Sequence, residues 1–126
     1  MLSRFLAIVA FGALLGAQNK VTPLLTKDLT PIAGKEGVML TVDIPPGAAS
    51  PSHRHNAHTF VYVLEGVVEM QVKGGPLQTL KVGETFYELP TDVHSVSRNA
   101  SKTQPAKILV FFVKDKGAPP TVPAND

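Results

Sequence analysis

An all-β domain is predicted by three features of the 126-residue chain. Apolar and polar residues alternate with period two in short runs. Proline and glycine separate those runs at intervals of roughly 8 to 12 residues. No segment beyond residue 17 sustains a helical period of 3.6. Such a pattern fits a sandwich or a barrel, and periodicity alone does not choose between the two.

The elements follow in order. Val38, Leu40, Val42 and Ile44 alternate with Met39, Thr41 and Asp43, and Pro45-Pro46-Gly47 ends this strand because proline donates nothing to a ladder. A second strand runs from about Thr59 to Leu64 and is broken at Gly66. Val67 to Lys73 sets Val68, Met70 and Val72 on one face and Glu69, Gln71 and Lys73 on the other, as a half-buried strand does. Gly74-Gly75-Pro76 closes a hairpin onto Leu77 to Val82, and Gly83 opens the next turn. Thr85 to Leu89 and Ser95 to Arg98 read as two further strands around the turn Pro90-Thr91-Asp92. Ile108 to Val113 is apolar at every position, the pattern of a strand covered on both faces. The prolines of residues 117–123 indicate an extended tail.

Bulk properties narrow the class. The length accommodates one domain. With 44% hydrophobic and 17% charged residues the chain is expected to fold. A net charge of +2, with no run of Lys or Arg, gives no electrostatic footprint for nucleic acid. Met1 to Arg4 precede an apolar run from Phe5 to Leu15 that ends in Gly16-Ala17, the layout of a secretory signal peptide. That run falls short of the ~20 apolar residues a membrane-spanning helix needs. The expected organisation is a signal peptide at 1–17, a domain at 18–117 and a Pro-rich tail at 118–126. The mature protein is then periplasmic or secreted, with no membrane anchor. Cysteine is absent, so a metal would have to be held by imidazole and oxygen.

All four histidines are His53, His55, His58 and His94, and three fall within six residues. On an extended segment residues two apart project to the same side, so His53 and His55 can face one ion, with His94 brought in by a later strand. On spacing alone, a metal site and a solvated His-Arg-His loop stand as equal readings. Tyr62, Gln71, Tyr87 and Arg98 are weaker candidates to line a barrel interior.

The surrounding frame resembles the cupin family. Its first motif, Gly, five residues, His-x-His, three or four residues, Glu, six residues, Gly, is matched by Gly47, His53, His55, Thr59 and Gly66. Its second, Gly, five residues, Pro-x-Gly, two residues, His, three residues, Asn, is approached by Gly83, Leu89-Pro90-Thr91, His94 and Asn99. The departures are Thr59 in place of glutamate, Leu89 in place of proline, Thr91 in place of glycine and Asn99 one residue late. The resemblance implies a small double-sheet jelly-roll β-barrel and a divalent metal (Fe, Zn, Ni, Cu or Mn) on His53, His55 and His94. His58 and Thr59 are candidates for a further ligand or for a supporting role beside the ligands. It also implies a small-molecule substrate or ligand, and small cupins commonly form homodimers. A dioxygenase-like enzyme, a non-catalytic binding protein and a scaffold all remain compatible with it.

Overall fold

A computed structural model describes residues 18–124; the expected signal peptide lies outside the described residues. Ten strands are present among the described residues: β1 (Lys20–Asp28), β2 (Lys35–Ile44), β3 (His53–Arg54), β4 (His58–Glu65), β5 (Val67–Val72), β6 (Gln78–Lys81), β7 (Thr85–Glu88), β8 (His94–Asn99), β9 (Ala106–Asp115) and β10 (Val122–Pro123). They form two antiparallel five-stranded sheets packed face to face, in the orders β1-β2-β9-β4-β7 and β10-β3-β8-β5-β6.

The period-two runs become the inward faces. Leu40 and Ile44 of β2, Val61 and Val63 of β4, and Val68 and Met70 of β5 belong to one buried cluster. Val63, Val68 and Met70 are fully buried.

One glycine is dictated by space. Gly66, between β4 and β5, has φ +68°, and a Cβ there would lie 2.4 Å from the Pro105 carbonyl oxygen. Asn99 clamps the same end of the sandwich. Its amide donates to the Ile44, Pro45 and Gln104 carbonyls, and its Oδ1 accepts from the Ser101 N–H.

Three regions differ from the sequence reading. β1 carried no alternation because nearly every side chain of it is exposed, and it is held by its ladder with β2. β9 is covered on one face only: Ile108, Val110 and Phe112 are buried, whereas Leu109, Phe111 and Val113 are half-buried. The Pro-rich end returns to the domain, where Val122 and Pro123 pair with Arg54 and His53.

Candidate metal centre

His53 and His94 are direct cross-strand partners on β3 and β8, with ring centroids 4.9 Å apart. His55 follows in the link to β4, and its ring centroid lies 4.7 Å from that of His53. Asn56, at φ 50°, turns the chain so that alternation restarts with Ala57 inward, His58 outward and Thr59 inward. Nitrogen atoms of the three histidines lie within 4.8 Å of one another, so the cluster could hold a metal ion.

The hydrogen bonds fix which atoms face the centre. His53 Nδ1 is 2.7 Å from the Pro51 carbonyl, and His55 Nδ1 is 2.9 Å from the Pro120 carbonyl. A carbonyl only accepts, so both Nδ1 atoms carry the proton and both Nε2 atoms of the neutral rings present lone pairs. Those two Nε2 atoms are 3.1 Å apart. Two facing lone pairs at that distance repel unless a cation is shared between them. Burial, with His53 beside it, lowers the pKa of His55 to about 4. Burial, with His53 and His55 nearby, lowers that of His94 to about 3. Neutral imidazoles with one nitrogen tied to a backbone carbonyl are the form that ligates a divalent ion.

A residue missing from the sequence reading also lies in this centre. Glu88, at the end of β7, is 1% exposed and reaches in from the opposite sheet. Its Oε2 lies 3.2 Å from His94 Nδ1 and 3.5 Å from His55 Nε2. Neither contact has hydrogen-bond geometry, and both Glu88 oxygens and both His94 ring nitrogens are buried without a partner. Burial, with a contribution from Asp92, pushes the Glu88 carboxyl up to about 8. A local signal did exist. Phe86 is an inward residue of β7, and Glu88 shares its parity, which puts an acid on an apolar face.

The remaining candidates fall elsewhere. Thr59 is buried and faces the centre, with its hydroxyl donating to the Ala57 carbonyl at 3.3 Å. His58 is exposed on the outer face, where Nδ1 and the Tyr87 hydroxyl share a hydrogen bond of 2.5 Å. Tyr62 and Tyr87 are outward and exposed. Gln71 donates to the Gly75 carbonyl, and Arg98 pairs with Glu69 at the surface, so none of these four lines the interior.

A cavity of about 760 Å³ opens beside the histidines. Its walls include Leu40, Val42, Val61, Met70, Ile108 and Val110, with Phe112 against the His55 ring at 4.9 Å. Its polar rim includes Asn19, Ser50, Ser52 and Thr121. No lysine or arginine among the described residues lines it.

The cupin domain profile matches residues 40–112, and the chain belongs to that family. Solved structures share the fold. The DMSP lyase DddQ of Ruegeria pomeroyi superposes with TM-score 0.69 at 21% identity over 84% of this chain, which spans 51% of that enzyme. A double-stranded β-helix protein of Klebsiella pneumoniae gives 0.66 at 21% identity, with 88% of both chains covered. An oxalate oxidase in complex with glycolate gives 0.63 at 27% identity, over 83% of this chain and 54% of that one. No curated protein matches the chain in sequence.

Proposed function

We propose that the protein is an exported, metal-dependent enzyme of dioxygenase type that acts on a small, largely apolar oxygenated compound. The observation that carries this reading is the pair of Nε2 lone pairs held 3.1 Å apart by carbonyl-bound Nδ1 atoms. A divalent ion there supplies Lewis acidity and, if redox-active, one-electron chemistry. The chain's own residues do the rest. The apolar walls bind the substrate and exclude water, and the histidines orient it from one side of the cavity. The absence of a cationic wall favours a neutral substrate over a dicarboxylate. The oxalate oxidase holding glycolate supports an oxygenated small molecule as the ligand class. Export rests on residues 1–17, and a homodimer is in keeping with the exposed aromatic face of Phe60, Tyr62 and Tyr87.

The test is elemental analysis of the purified mature protein and of His53→Ala and His94→Ala, followed by oxygen uptake with a panel of small substrates. Near-stoichiometric metal in the wild type, background metal in both variants and metal-dependent uptake are expected. Equal metal in all three proteins would end the metal-centre reading. A second reading, ligand binding without turnover, is favoured by the apolar walls, and thermal stabilisation by a bound compound that persists in chelator would establish it.

A further inference from the structure

Glu88 answers the question that Thr59 raises. The family's first motif places its carboxylate on the strand that here is β4, at the position of Thr59. In the ladder between β4 and β7, Thr59 and Glu88 are direct partners. Both are inward and 1% exposed. The carboxylate absent from one strand is present on its neighbour, at the same level of the sandwich and aimed into the same centre.

Three distances in the cluster have the length of edges in a coordination shell. Ligand bonds of about 2.1 Å give ligand-to-ligand edges of about 3.0 Å in an octahedron and about 3.4 Å in a tetrahedron. Observed edges are 3.1 Å between the His53 and His55 Nε2 atoms, 3.5 Å from His55 Nε2 to Glu88 Oε2 and 3.2 Å from His94 Nδ1 to the same oxygen. The two Glu88 contacts are short and lack hydrogen-bond geometry, as contacts between atoms that share an ion do. We propose that Glu88 is the anionic fourth ligand of the centre, supplied across the β4–β7 ladder in exchange for a carboxylate at residue 59. This rests on the three-histidine reading and changes its character. The centre carries one negative charge rather than none, and its preference moves toward harder ions such as Mn²⁺ and Fe²⁺.

The experiment titrates Co²⁺ and Mn²⁺ into the metal-free mature wild type, Glu88→Gln, and the exchange variant Thr59→Glu/Glu88→Thr. Affinity is read by calorimetry, and the ligand field by the visible absorption of bound Co²⁺. Glu88→Gln is expected to weaken Mn²⁺ by roughly tenfold or more and to shift the Co²⁺ bands. The exchange variant is expected to recover most of the Mn²⁺ affinity, and circular dichroism shows whether each variant is folded. Unchanged Co²⁺ bands in Glu88→Gln would overturn the proposal whatever the affinity, since a carboxylate acting only through His94 leaves the ligand set intact. A wild type that binds neither ion would overturn the three-histidine reading itself, so the two failures are distinguishable.

Discussion

Glu36 on β2 and Glu88 on β7 are both shielded from solvent, and their surroundings are opposite. Glu36 accepts from the Lys114 ammonium at 2.5 Å and from the Gly117 N–H at 3.2 Å. Those donors hold its carboxyl below the usual range. Glu88 has no donor, and burial drives its carboxyl up to about 8. A carboxylate that serves the fold is given its partners by the chain. One buried with none costs stability, and a protein that keeps it does so for a partner from outside.

The largest consequence is a pH dependence that separates the two. Between about pH 4.5 and 8 the folded metal-free protein keeps a proton on Glu88 that the unfolded chain has released, so this carboxyl removes stability as pH rises. His55 and His94 act in the other direction. The unfolded chain protonates them below about 6.5 and the folded one only near 4 and 3, so they remove stability as pH falls. Two histidines outweigh one carboxyl on the acid side. Metal-free protein is therefore expected to be most stable near pH 6.5, with an alkaline arm falling by ~1.4 kcal/mol per pH unit toward pH 8. Urea denaturation across pH checks this, and Glu88→Gln should flatten that arm. An alkaline arm unchanged in Glu88→Gln would show that Glu88 is satisfied after all.

Next in size is the support of His55. Ending the chain at Gly117 removes Pro120 and Thr121, which lie at 2.9 and 3.1 Å from His55 Nδ1. Metal affinity should fall by about tenfold, the order seen when an outer partner of a ligand is lost. Calorimetry measures it, and an unchanged affinity would show that the Pro51-bound His53 suffices to orient the pair.

The smallest effects belong to the surface. His58→Ala removes a bond to Tyr87 on the outer face and should leave Co²⁺ affinity and spectrum unchanged. Glu36→Gln should lower the thermal midpoint with no change in metal binding, the reverse of the expectation for Glu88→Gln. A Co²⁺ spectrum altered in His58→Ala would place that ring inside the centre.

How much of this was legible depends on the kind of signal. Strands β4 and β5 were readable because one face of each is buried and period two records it, and β2 because its apolar residues Val38, Leu40, Val42 and Ile44 share the side that packs on the core. β3 and β10 are two residues each, too short for any period, and β1 buries neither face. His53, His55 and His94 could be found because the motif frame is local in sequence. Glu88 could not be found that way, since its relation to Thr59 exists only in the ladder, 29 positions away. The carbonyls of Pro51 and Pro120 left no trace at all, because a backbone acceptor has no letter of its own.

The Pro120 carbonyl belongs to a segment with little else to hold it. β10 pairs only with β3, and the Ala124 N–H donates to the Ser52 carbonyl at 3.2 Å. The same residues, 120–124, form part of the cavity wall. Displacement of this strap would strip His55 of its acceptor. Residues 120–124 thus couple the shape of the cavity wall to the orientation of the His55 ring.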